Sequence, residues 1–250
     1  MKRIEIIGIE GIPEVRPGDD LGDSIIRAVR AEGLEFLPGD VLVVTQKVVS
    51  KAEGRLVDIA EVEPSPFAVE ASGMLGKDPR VLEVILREAA RVVRMDHGVL
   101  ITETKHGFIC ANSGVDASNV SASGRLLLLP EDPDAAAARI RSTIKTAAGI
   151  DVAVIISDSF GRPWREGIVN VAVGVSGMSP ILDYRGQFDS YGVPLRVTQM
   201  AIADEMASAS ELATGKVDGI PVVLLRGAPY PKGEGSVREL LREPGKDLFR

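Results

Sequence analysis

Two aspartates at the ends of apolar runs are the most chemically suggestive residues of this sequence. Asp158 closes the run Ile155-Ile156-Ser157 and is followed by Ser159. Asp116 follows Asn112-Ser113-Gly114-Val115 in the stretch GFICANSGVDASNV, residues 107–120. A carboxylate fixed by a buried strand, with a hydroxyl beside it, can hold a hard divalent cation while the loop leaves positions for water or phosphate. Each aspartate alone is more often a turn or cap residue. Two such strand ends with Ser and Asn beside them favour the cation.

A third segment, TQKVVSKAEGR, spaces Lys47, Lys51 and Arg55 four residues apart, which would align them on one face of a helix. That spacing equally suits a solvated surface helix. Arg162 and Arg165 form a second basic island, and Thr214, Gly215 and Lys216 precede a strand expected from Pro221. Net charge is −7, so basic islands here suit a small phosphorylated ligand better than nucleic acid, which is gripped through excess Lys and Arg.

No phosphate loop of the G-x-x-x-x-G-K-[ST] type occurs, since Gly215-Lys216 is followed by Val217, and there is no G-x-G-x-x-G. A phosphatase-type nucleophile at Asp158 would need a second aspartate two residues on, where the chain has Phe160. The lone Cys110, with His97 and His106, cannot build a soft-ligand metal centre, and no disulfide can form within the chain. Cys110, between Ile109 and Ala111, reads as a buried thiol.

The elements that must position these residues follow from apolar periodicity. Strands are expected at Arg3 to Ile9, Val41 to Thr45, Val99 to Glu103, Phe108 to Ala111, Val152 to Ser157, Val169 to Val175, Val193 to Met200 and Pro221 to Arg226. Helices are expected at Asp20 to Ala31, Arg80 to Val93, Asp134 to Ala148 and Ile202 to Ala213, with Gly33 and Gly149 as stops. The turn Thr104-Lys105-His106-Gly107 points to antiparallel pairing. The fold class is therefore α+β, with mixed, largely antiparallel sheets and flanking helices. The 250 residues are expected to form one domain, or two subdomains sharing a core, with a helical lobe near residues 64–94. AVGVSGMS, residues 172–179, suggests close backbone packing. Trp164 suits a lid or a surface anchor equally. The longest apolar runs are too short for a membrane span, and the chain reads as cytoplasmic.

Four collinear motifs, VVTQKVVSKAEGR, ANSGVDASNV, IISDSFGRPWREG and PVVLLRG, together resemble the coenzyme F420-0:L-glutamate ligase family over nearly the whole chain. The closing LLREPGKDLF is similar to the end of the ligase domain in the bacterial version, which is often fused to a nitroreductase-like domain absent here. The resemblance implies an intertwined homodimer with a family-specific fold. It also implies GTP-driven amide formation between coenzyme F420-0 and L-glutamate, then γ-linked additions through an acyl phosphate, with Mg²⁺ or Mn²⁺ and K⁺. It places Asp116 and Asp158 on a divalent cation and Ser159 near a second. GTP contacts carried over are Ile12, Pro13, Glu14, Val15, Gln46, Lys47, Lys51, Asn119, Thr214, Gly215, Lys216, Gly219 and Ile220, with Asp116, Asp158 and Lys51 as the catalytic set. Arg162 and Arg165 would meet substrate or phosphate.

Two departures stand out. Ser159 replaces a frequent Thr, which keeps the hydroxyl. Lys216 stands near where archaeal relatives carry a metal-binding acid or amide, and an ammonium cannot ligate a cation. Either a second ion is held differently or Lys216 meets the phosphates itself. Two rival readings are a non-catalytic GTP- or deazaflavin-binding protein on the same fold, and a ligase for another amino acid.

Overall fold

A computed structural model describes residues 3–118 and 124–247. In chain order, β1 (Glu5–Ile9), α1 (Leu21–Ala31), β2 (Val41–Thr45) and α2 (Gln46–Ala52) come first. A second group follows: β3 (Leu56–Asp58), α3 (Pro66–Leu75), α4 (Pro79–Glu88), β4 (Ala89–Asp96), β5 (Val99–Thr104), β6 (Ile109–Ala111) and β7 (Arg125–Leu127). The chain then returns through α5 (Pro133–Ala148), β8 (Ala153–Arg162), β9 (Arg165–Ser176), β10 (Leu182–Asp183), β11 (Gln199–Met200), α6 (Ile202–Thr214) and β12 (Val222–Arg226).

The main sheet runs β1-β12-β2-β8-β9. Only β2 and β8 pair in parallel; the other neighbours are antiparallel. Consequently β1, β2 and β8 all finish at one end of the sheet, and β12 begins there. Val41 to Val44 are all buried, so both faces of the sheet are covered. The helices supply that cover through apolar stripes such as Leu21, Ile25, Ile26 and Val29 on α1.

A second, smaller hydrophobic cluster joins α3, α4, β5 and β7 through Ala68, Leu75, Leu82, Ile85, Leu100 and Leu126. Beside it, β4, β5 and β6 pair antiparallel, and the 104–107 turn closes as expected, with Thr104 N–H on the Phe108 carbonyl. The helices expected near residues 64–94 thus pack together with β5 and β7.

Gly174 shows why a glycine sits mid-strand. A Cβ there would lie 2.5 Å from the Pro133 backbone, where α5 begins. The close packing expected for residues 172–179 is therefore real. The helix it contacts is capped by the Asp132 side chain and begins at Pro133, one residue earlier than the expected start at Asp134.

Two element assignments need correction. The helix expected through Val93 stops at Glu88, because the β-branched pair Val92-Val93 joins β4, which gains a full antiparallel partner in β5. The strand expected over Val193 to Met200 reduces to Gln199–Met200, paired only with the two-residue β10. Pro194 cannot donate to a ladder, and Val193 and Val197 are exposed, so the segment turns back on Gln187 and Asp189 through a few backbone hydrogen bonds and an isolated Phe188–Pro194 bridge without extending into a strand.

Candidate active site

At the shared strand end the sheet opens into a cavity of about 670 Å³, a size suited to a nucleotide or similar ligand. Ile12, Pro13, Glu14 and Val15 reach it from the segment after β1; Gln46, Lys47 and Lys51 from α2; Asp116 from the loop after β6; and Asp158 and Ser159 from β8. Thr214, Gly215, Lys216, Gly219 and Ile220 close it ahead of β12. Convergence follows from topology, since Thr45 pairs with Ser157 across the parallel strands and Thr45 N–H bonds the Pro221 carbonyl at 2.9 Å.

Asn119 lies outside the described residues, and two other expected residues fall elsewhere. Arg162 and Arg165 lie at the tip of the β8–β9 hairpin and do not line the cavity; Arg162 donates to the Glu166 carbonyl at 3.1 Å. Arg55 also leaves the lysine face, because α2 ends at Ala52 and Gly54, at φ +68°, turns the chain. Its guanidinium binds the Leu129 carbonyl at 3.0 Å and Glu88 at 2.8 Å, tying the second cluster to the first.

Asp158 carries the strongest perturbation. Burial pushes its carboxyl up to about 6, and the nearby Asp116 charge adds to the rise, against the Ser159 N–H, Lys216 and Gln46. Gln46 is oriented for that role: the Ser50 hydroxyl donates to its carbonyl oxygen at 2.8 Å, leaving the amide nitrogen to face Asp158. Lys47 bridges to Asp116 at 2.8 Å, and the Ser118 N–H donates to the same carboxylate at 2.8 Å. Burial alone would raise the Asp116 carboxyl, yet these donors outweigh it and hold it below the ordinary range.

The loop that presents Asp116 is strained. Asn112, Ser113 and Gly114 have φ of +54°, +53° and +67° in succession. Such conformations at non-glycine residues persist only when their surroundings over-determine them. Here the Ser113 N–H donates to Thr102 Oγ1 at 2.9 Å and its hydroxyl to the Ile85 carbonyl at 2.9 Å. The small oxygen-bearing side chains of this stretch thus divide their work: Ser113 holds the loop, and Asp116 faces the cavity.

Asn170 and Glu211 were invisible to motif reading. The Ser159 hydroxyl donates to Asn170 Oδ1 at 2.7 Å, and Asn170 Nδ2 donates to Glu211 at 2.7 Å. Lys216 Nζ donates to Ser159 Oγ at 2.6 Å. The available signal for Asn170 was an amide inside the apolar run Ile168 to Val175, since buried polar residues are the informative exceptions.

Three lysines and four carboxylates, Glu14, Asp116, Asp158 and Glu211, line the cavity. Added positive charge would strengthen the binding of a polyphosphate there. Asp116 and Asp158 are hard oxygen donors suited to Mg²⁺ or Mn²⁺, and the buried Ser157 Oγ and Asn112 Oδ1 beside them have no hydrogen-bond partner. Among the described residues no group of three or more His, Cys, Asp or Glu side chains converges on a single point. A cation there would rest on two carboxylates and keep positions for phosphate oxygens. Cys110 takes no part: burial, then the Asp158 charge, pushes its thiol up to about 12, so it stays protonated.

Fold and site define an α+β protein with a charged, ligand-sized cavity at the carboxyl ends of its sheet. The profile of the F420-0:Gamma-glutamyl ligase family matches residues 9–227. Over 99% of both chains, the sequence is 46% identical to the coenzyme F420:L-glutamate ligase of Methanothermobacter thermautotrophicus. It is 47% identical to that of Methanopyrus kandleri, over 99% of this chain and 97% of the relative. The enzyme of the same name from Methanocaldococcus jannaschii is 43% identical over 100% of this chain and 98% of its own. The chain belongs to the F420-0:Gamma-glutamyl ligase family. Among the described residues no helix is long and apolar enough to cross a membrane.

Proposed function

We propose that the protein is a GTP-dependent ligase that joins the carboxylate of coenzyme F420-0 to the amine of L-glutamate and then adds γ-linked glutamates. The observation that carries this reading is the meeting of Asp116, Asp158 and three lysines on one cavity in a chain of this family. In the reaction, the γ-phosphoryl group passes to the acceptor carboxylate, giving an acyl phosphate and GDP. The glutamate amine then attacks the carbonyl carbon; the C–N bond forms, the C–O bond to phosphate breaks, and the amine loses its proton. A divalent cation on Asp116 and Asp158 would neutralise charge on the transferring group and polarise it.

The chain's own residues have distinct parts in this scheme. Lys47 holds Asp116 in its ionised form, and Lys51 reaches phosphate by releasing Glu14, its exposed partner at 2.6 Å. Ile12, Val15 and Ile220 offer apolar surface at the cavity wall for a base or ring.

A homodimer belongs to the same reading. Large apolar side chains stand exposed along one part of the chain, including Trp164, Phe188, Tyr191, Val197 and Leu212. Exposed apolar side chains of this number suit an interface, and a second copy is the natural partner.

Mass spectrometry of F420-0 incubated with GTP, Mg²⁺ or Mn²⁺ and glutamate tests the proposal. Products should grow by whole glutamyl residues, and only with all components present. GTP binding without phosphate release would leave a non-catalytic binding protein. Growth with another amino acid in place of glutamate would identify a different ligase.

A further inference from the structure

Of the three lysines lining the cavity, two are held tightly by carboxylates: Lys47 lies 2.8 Å from Asp116, and Lys51 2.6 Å from Glu14. Lys216 differs. Its carboxylate neighbour, Glu211, is 3.7 Å away, beyond hydrogen-bond reach, and its close contact is the neutral Ser159 hydroxyl at 2.6 Å.

That contact is built. Ser159 has one proton, which goes to Asn170 Oδ1 at 2.7 Å, so its oxygen turns a lone pair to the ammonium. Asn170 is 4% exposed and is itself fixed by its amide donation to Glu211. Four side chains thus form a ring, Lys216 to Ser159 to Asn170 to Glu211 and back. The backbone is committed as well. Gly215 has φ +55° and ψ 154°, a region that in practice only glycine occupies, and this turn brings Lys216 over the cavity.

Two oxygens that would otherwise suit a hard cation, Ser159 Oγ and a Glu211 carboxylate, therefore flank an ammonium instead. A divalent ion and an ammonium cannot share that position, because their charges repel at contact distance. We propose that Lys216 is a resident counter-charge for the phosphates, standing where a second divalent cation would sit, so that the protein binds a single divalent ion per site, at Asp116 and Asp158. The inference rests on the metal-nucleotide reading of the cavity. Its consequence is that nucleotide phosphates meet one exchangeable charge and one permanent one, which lowers the demand for free metal.

The experiment is a Mn²⁺ titration of the full chain without nucleotide, followed by loss of the free-ion electron paramagnetic resonance signal. Wild type should take up one ion per chain. Lys216→Glu, which replaces the ammonium by a carboxylate beside Glu211 and Ser159, should take up two. The Lys216 side chain is 56% exposed, so these variants should fold normally. In parallel, calorimetry with GTP in chelator should show affinity falling about tenfold or more in Lys216→Gln, the size of one lost charge-assisted phosphate contact, and retained in Lys216→Arg.

Two ions per chain in wild type, or one in Lys216→Glu, would overturn the inference while leaving the nucleotide site standing. Unchanged GTP affinity in Lys216→Gln would also overturn it. Failure of wild type to bind either Mn²⁺ or GTP would overturn the underlying reading as well.

Discussion

Replacing Asp158 by asparagine should make the metal-free protein more stable while abolishing turnover. The carboxyl rises from 3.8 to about 6, a shift of about 2 units, each equivalent to about 1.4 kcal/mol. At neutral pH the ionised group therefore costs the fold about 3 kcal/mol at most. The carboxylate faces a cavity open to water, so about 1–2 kcal/mol is the working figure. Asparagine keeps an oxygen to accept the Ser159 N–H and carries no charge.

The pH dependence has a definite sign. Folded Asp158 holds its proton to higher pH than the unfolded chain does, so its destabilising effect is absent below about pH 4 and complete above about pH 6–7. Thermal unfolding in chelator at about pH 4.5 and about pH 7.5 reads this directly. The variant's advantage should be small at the lower value and reach a few degrees at the higher, at about 2–4 °C per kcal/mol for a chain of this size. Mg²⁺ with GTP should then raise the midpoint of wild type alone, by linkage. A variant less stable than wild type at the higher pH, or an advantage that does not change with pH, would refute the account of Asp158 as a strained, under-neutralised carboxylate.

Three further outcomes are expected. Arg226 makes a two-pronged ion pair with Asp40, at 3.0 and 2.8 Å, and Asp40 is 1% exposed; Arg226→Met should lose about 3 kcal/mol in urea unfolding by stranding that charge, and Asp40→Asn in the same chain should restore part of it. Cys110 should resist iodoacetamide at mildly alkaline pH in the native protein and react after guanidinium unfolding, because its thiol lies at about 12. Tyr191→Asp combined with Val197→Asp should halve the mass seen by sedimentation velocity without changing circular dichroism, whereas a monomeric wild type would remove the dimer reading.

What the sequence made legible was set by local physics. Val41 to Val44 and Val152 to Ile156 are continuous apolar runs rich in β-branched residues, and each became a buried strand of the main sheet whose end points at the cavity. Residues at those ends could therefore be named in advance, from Gln46 to Ser159. Residues brought in from the side of a long strand or from a helix end could not. Asn170 and Glu211 sit within β9 and the last turn of α6, with no motif around them, and acquire meaning only when α6 packs on β9. The same limit explains Arg55, whose four-residue spacing from Lys51 means nothing once the helix has ended. It also explains the strand expected at Val193, where the segment pairs only through an isolated bridge to Phe188 and the two-residue ladder at Gln199–Met200. Propensity is a property of the segment, and pairing is a property of the fold.

The two carboxylates reach the cavity by different mechanical routes, and this bears on how the site is kept in register. Asp158 extends from a strand whose preceding residues, Ile155 and Ile156, lie wholly inside the main core. Asp116 follows Val115, which packs in the smaller cluster, and its loop is pinned to Ile85 and Thr102 of that cluster. Their separation therefore depends on how the two clusters pack, tied by Arg55 to Glu88 and to the Leu129 carbonyl. A rigid two-ligand site built on one strand would need no such fastening. Because the ligands of this site come from two clusters, the left-handed backbone at Asn112 and Ser113 is tolerated where the Ser113 hydrogen bonds to Thr102 and Ile85 hold the loop that presents Asp116 to the cavity.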